Sequence, residues 1–193
     1  MAKIEVITGP MFTEKSWELI ERMKKFSYAV KRILLIVPGK DNRPERNIIK
    51  MVRQDKDLGK YSFIQWYPAS EKDETEELIN TFQPHMLAID EAEFFDYWML
   101  DLIDKLRKSK ISEELTIAVA GLDMDFEQRG FGIMPELMAW AGNVKKKTTV
   151  CFHCKQREAK FTYRKSKEKK VIIVGDKELY EARCGICHAI PYE

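Results

Sequence analysis

The chain has 193 residues, 45% of them apolar, which is enough for one α/β domain with an appendage and excludes a disordered polymer. Its 33 Lys+Arg and 31 Asp+Glu leave a net charge of +2, too little for a molecule whose whole surface is built to hold nucleic acid. The longest aliphatic run, Ile33 to Val37, is far too short to cross a bilayer and the first residues lack the apolar core of a secretory signal, so a cytoplasmic, non-membrane protein is expected.

The first predicted strand, Ile4 to Thr8, runs into Gly9-Pro10-Met11-Phe12-Thr13-Glu14-Lys15-Ser16. Ser16 then opens a helix with apolar residues at Leu19, Ile20, Met23 and Phe26. Strand, loop and helix in that order match the phosphate-binding pattern G-x-x-x-x-G-K-[ST]. There, backbone N–H groups and the helix N-terminus face the phosphates, the lysine reaches the outer ones and the hydroxyl holds Mg²⁺. Glu14 stands at the second glycine, so the loop read alone is also compatible with a chance match.

Further strands are predicted at Ile33 to Val37, Ser62 to Trp66, Met86 to Ile89 and Thr116 to Ala120, separated by segments of helical period. This alternation predicts βαβ units on a parallel sheet. Glu71 to Phe82 reads as a helix with an acidic first turn and Pro84 beyond its end. Phe94 to Lys108 reads as another, with Phe95, Met99, Leu102, Ile103 and Leu106 on one core-facing side. Between them, Leu87-Ala88-Ile89-Asp90-Glu91 is an apolar strand ending in two carboxylates. Beside a phosphate loop the first commonly assists Mg²⁺ and the second acts as a base, while a solvated acidic turn explains the same residues without chemistry.

Near Lys145 the composition changes, and the chain divides into residues 1–145, a nucleotide-binding unit, and 146–193, a small C-terminal unit. All four cysteines lie in the second, as Cys151-x-x-Cys154 and Cys184-x-x-Cys187. Two such knuckles supply four thiolates to a closed, structural zinc site; two redox pairs are the competing reading, without a thioredoxin-like pattern around them. His153 and His188 flank the knuckles and could stand in as ligands, but are read first as bystanders. The basic stretch from Lys155 to Lys170, with Phe161 and Tyr163 in it and a strand expected at Val171 to Val174, fits a solvated hairpin between the knuckles better than a zinc-ribbon surface for nucleic acid.

Together these pieces resemble the type II thymidine kinase family. The similar stretches are Gly9-Pro10-Met11-Phe12 with Lys15-Ser16, Lys40-Asp41-Asn42-Arg43, Ile89-Asp90-Glu91-Ala92 with Phe94-Phe95, Ala120-Gly121-Leu122-Asp123, Phe131-Gly132, and the cysteine pairs with Tyr180 ahead of the second. The resemblance implies an α/β fold with a RecA-like phosphate-loop domain on a parallel sheet, a zinc-bearing lasso domain and a homotetramer. It also implies transfer of the γ-phosphate of ATP to the 5′-hydroxyl of thymidine or deoxyuridine. By matching positions, residues 9–16 would hold ATP, with Lys15 on the phosphates and Ser16 on Mg²⁺ assisted by Asp90, and Glu91 would be the general base. Met11, Leu122, Phe126, Phe131 and Tyr180 would surround the pyrimidine, with Thr162 and Ile173 of the lasso closing over it.

The chain departs from that family's pattern at Glu14, at Glu93 where a neutral residue is usual, between Phe126 and Phe131 where a proline is missing, after Asp41-Asn42-Arg43 where no histidine follows, and at Asp176 in place of a glycine. Several of these changes put negative charge around a site for a polyanion. A catalytically impaired homologue is therefore the alternative expectation, and a zinc-ribbon nucleic-acid binder a third.

Overall fold

Ile33, Leu34, Leu35, Ile36 and Val37 offer no polar face, so a strand made of them has to be covered on both sides. The computed structural model describes residues 2–29, 31–39, 47–58, 64–109, 114–166, 168, 170–173 and 175–191. In it the strands of the main sheet are β1 (Lys3–Thr8), β2 (Ile33–Pro38), β3 (Ile64–Ala69), β4 (Met86–Ile89), β5 (Thr116–Ala120) and β6 (Asn143–Lys146). They lie in the order β3-β2-β4-β5-β1-β6, all neighbours parallel. The strand period of two sorts β2 between two cores. Leu34 and Ile36 face Ile79, Met99, Leu102, Ile103 and Leu137 of α3 (Lys72–Phe82), α4 (Tyr97–Lys108) and α5 (Met134–Trp140). Ile33, Leu35 and Val37 face Leu19, Ile20 and Met23 of α1 (Lys15–Tyr28) and Ile48 and Val52 of α2 (Asn47–Gln54).

Three local expectations are corrected. The helix expected from Phe94 begins at Tyr97: Ala92–Phe94 form a 3-10 turn and Phe95 is extended, which drives Phe95 into the core and leaves Phe94 edge-on to Phe131. Strand β6 was hidden in the sequence, because all four of its residues are exposed and Lys145-Lys146 read as a charge run; it pairs with β1 through the backbone alone. Residues 171–173 are not a strand: Val171 and Ile172 are exposed, and the Ile173 carbonyl is held by the Tyr180 hydroxyl (2.7 Å) instead of by a strand partner. Ser62, Lys40-Asp41-Asn42-Arg43, Lys167, Lys169 and Val174 lie outside the described residues.

Beyond β6 the chain forms two small antiparallel pairs, β7 (Thr149–Val150) with β8 (Glu158–Ala159) and β9 (Phe161–Arg164) with β10 (Tyr180–Arg183), and the single turn α6 (Gly185–His188). Within the basic stretch Lys160 pairs with Glu158 (3.2 Å), Lys165 pairs with Glu181 (3.2 Å), and the Arg164 guanidinium caps the carbonyls of Glu168 and Lys170, so these three side chains are engaged inside the unit.

Candidate active site

Because β4, β5 and β1 are neighbours, their carboxyl ends set three loops side by side, where open α/β sheets bind ligands. The β1 and β5 ends are bound together by the Thr8 hydroxyl, which donates to the Gly121 carbonyl (2.9 Å), and by the Gly121 N–H, which donates to Ile7 (3.1 Å).

After β1, Gly9 has φ +133°, and a β-carbon there would lie 2.2 Å from the Lys147 carbonyl, so only glycine fits. Pro10 is buried, and its carbonyl accepts from the Thr13 hydroxyl and the Lys15 ammonium, both at 2.8 Å, which curls the loop back on itself. Glu14 is the N-cap of α1 and is left-handed (φ 56°), the backbone that the missing glycine would adopt freely. Its exposed side chain does not cap the helix, and its carbonyl accepts from the Lys147 ammonium (3.0 Å). The first-turn N–H groups of α1 thus face the loop without a competing side-chain cap, as an anion site requires.

The Ser16 hydroxyl donates to Asp90 Oδ2 (2.9 Å), joining the start of α1 to the end of β4. Asp90 and Glu93 are each only 5% exposed. Loss of solvation pushes the Asp90 carboxyl up to about 7, with the charge of Glu91 adding to it and the Ser16 hydroxyl and Lys15 opposing. The Glu93 carboxyl is pushed up to about 8 by burial, against the pull of Lys15. Enclosure holds the Lys15 ammonium below its ordinary value although Glu93, Asp90, Asp123 and Glu91 all favour its charge. Asp123, itself buried, is paired with Lys146 of β6 (2.5 Å).

Lys15, Ser16, Asp90 and Glu93 open on a cavity of about 850 Å³. Its lining brings together Phe12, Thr13, Glu14, Lys15, Ser16, Asp90 and Glu91 with every side chain expected around a pyrimidine: Met11, Leu122, Phe126, Phe131, Thr162, Ile173 and Tyr180. Gly9 and Pro10 lie behind the loop rather than on the wall. Phe126 is covered by the Arg164 guanidinium, 3.5 Å above its ring. In the C-terminal unit the Sγ atoms of Cys151, Cys154, Cys184 and Cys187 all lie within 4.8 Å of one another, three of the residues buried. Four soft thiolate donors at that spacing fit a tetrahedral Zn²⁺ site with no open position.

A family model described as thymidine kinase matches residues 2–188. The chain belongs to the thymidine kinase family. It is similar to a thymidine kinase of Mycoplasma mobile, 38% identical over 186 residues that cover 96% of this chain and 86% of the relative. It is also similar to that of Mesomycoplasma hyopneumoniae strain 7448, 38% identical over 187 residues that cover 97% and 95%.

Sequence reading missed Lys147 and Phe152, which contact the loop from outside the cavity, and His188, which contacts the Thr162 carbonyl behind it. Nothing marks them in the sequence beyond a place in a lysine run or beside a cysteine. Glu93 makes a prediction. Its carboxyl binds more protons folded than unfolded, so its contribution to stability falls as pH rises above 4.5 and levels off above about 8. Glu93→Gln is expected to raise the melting temperature by about 3–6 °C at pH 9 and by much less at pH 5. Equal shifts at both, read by calorimetry, would mean that Glu93 is not titrating in the folded protein.

Proposed function

We infer that the protein is a type II thymidine kinase, transferring the γ-phosphate of ATP to the 5′-hydroxyl of thymidine or deoxyuridine. The observation that carries this reading is the Ser16–Asp90 hydrogen bond, which joins the phosphate loop to the β4 carboxylates on the wall of a cavity that also presents Met11, Leu122, Phe126, Phe131 and Tyr180. Residues 1–145 would form the RecA-like kinase domain and 146–193 the zinc-binding lasso domain, and a homotetramer belongs to the same reading.

In this reading the backbone of residues 9–16 cradles the phosphates of ATP, and Lys15 compensates their charge. Ser16 and Asp90 would hold Mg²⁺, which when bound neutralises charge building on the phosphate oxygens. Glu91 takes the proton from the 5′-hydroxyl as its oxygen bonds to the γ-phosphorus and the bond to the β,γ-bridging oxygen breaks. Met11, Leu122, Phe126, Phe131, Thr162, Ile173 and Tyr180 enclose the base and keep water away. Zn²⁺ at Cys151, Cys154, Cys184 and Cys187 would be structural. Phosphate transfer from ATP to labelled thymidine by purified protein with Mg²⁺ tests the reading; no transfer, with thymidine still bound, would leave an impaired homologue.

Among the departures, Glu14 in the phosphate loop favours the impaired alternative most directly. Residue 14 is left-handed, so its backbone cost bears on stability, while its charge and β-carbon bear on affinity. Glu14→Gly is expected to stabilise the fold by about 0.5–1 kcal/mol, the left-handed penalty less the extra chain entropy of glycine. ATP affinity should rise by about three- to tenfold, a modest gain because the carboxylate is exposed and screened. Calorimetric titration of ATP·Mg²⁺ checks this, and equal affinities would mean that the loop accepts glutamate.

A further inference from the structure

The phosphate loop leans on the cysteine cluster as well as on the sheet. Phe12 packs against the small apolar group formed by Cys151, Ala159, Ala182, Cys184 and Cys187. Its ring stacks on Phe152, which lies between the first two cysteines, with centroids 5.3 Å apart and planes 24° apart. One residue earlier, the Met11 N–H donates to Thr162 Oγ1 (3.0 Å). The Thr162 carbonyl in turn lies 3.2 Å from Nε2 of His188, the residue after Cys187. A carbonyl only accepts, so the His188 proton sits on Nε2, and Nδ1 is left to accept from the Gln128 amide (3.0 Å). Phe12 itself is left-handed (φ 65°), a conformation that a bulky side chain keeps only where its surroundings over-determine it.

We propose that Phe12 and Thr162 are positioning residues that make the phosphate loop part of the metal-binding unit, so that metal retention at the four cysteines and nucleotide binding at the loop favour each other. The nucleotide half of this coupling rests on the kinase reading above; the mechanical half does not. An aromatic stack and a backbone-to-hydroxyl hydrogen bond reach the loop at consecutive residues, and each comes from a segment anchored beside a cysteine. Loosening the knuckles withdraws both supports from a strained residue. By reciprocity, a nucleotide that requires the ordered loop strengthens metal binding by the same factor by which the metal strengthens nucleotide binding.

The test uses the full chain reconstituted with one equivalent of Zn²⁺. Hydrogen exchange of the amides of residues 9–16 needs no nucleotide. On addition of a chelator it should accelerate by about tenfold or more, together with residues 149–164, while β2 and β4 stay protected. Phe12→Ala should produce the loop acceleration with zinc still bound, and Phe152→Ala, which leaves the loop's own sequence intact, should do the same. Zn²⁺ affinity, read by competition with a chromogenic chelator, should tighten by about 5- to 50-fold at saturating ATP·Mg²⁺ in the wild type and not in Phe12→Ala. Loop amides indifferent to chelation and to both substitutions would overturn the proposal, and so would a responsive loop whose bound ATP leaves zinc affinity unchanged. A responsive loop in a protein that binds no ATP would uphold the mechanical coupling and overturn the kinase reading.

Discussion

Replacing Glu91 by glutamine is expected to lower turnover by about two to four orders of magnitude while leaving thymidine affinity nearly unchanged, the signature of a lost general base rather than a lost binding contact. The substitution keeps the size and shape of the side chain and removes only its capacity to take a proton. Glu91 lies at the end of β4, one residue beyond Asp90, with a left-handed backbone (φ 53°) that turns the chain sharply into the 3-10 turn and sets its side chain on the cavity wall. Single-turnover measurement separates the chemical step from product release. Near-wild-type turnover would move the base to another carboxylate, Asp90 and Glu93 being the buried neighbours.

Replacing Cys154 by serine is expected to release the metal and unfold the C-terminal unit. The unit's own apolar cluster is little more than Ala159, Ala182 and Phe152 among the cysteines, with Phe12 from the loop, far below what a segment of its length needs to fold by itself. A structural zinc contributes about 10 kcal/mol or more in small domains, so loss of one thiolate is not absorbed by packing. Backbone hydrogen bonds from Gln156 and Arg157 already pull the Cys154 thiol down to about 6, which favours the thiolate that a metal binds. Elemental analysis should read close to one zinc per chain in the wild type and none in Cys154→Ser. Proteolysis of residues 146–191 should accelerate, and thymidine affinity should fall by at least about tenfold, because Thr162, Ile173 and Tyr180 form one wall of the cavity. A variant that binds thymidine normally would show that this unit stands without its metal.

Local chemistry made much of this protein legible from sequence. The apolar runs at Ile33 to Val37 and Met86 to Ile89 fixed strands buried on both faces, because no other placement hides every side chain. The loop pattern from Gly9 to Ser16 and the two-residue spacing of the cysteines are read along the chain and need no fold to be recognised. The two carboxylates after Ile89 were readable for the same reason, as charge at the end of an apolar strand. Other features came only with the tertiary structure, because they depend on what lies far away in sequence. Strand β6 exists through backbone pairing with β1 and leaves no apolar pattern. Phe94 and Phe95 part company because the turn after Glu91 interrupts the helix that their spacing predicts. The high carboxyl values of Asp90 and Glu93 come from burial beneath α1 and β5, and the left-handed Phe12 is held by residues 140 positions or more along the chain. Sequence determined which groups are present and which local shapes they allow; the order of the strands decided which of those groups meet.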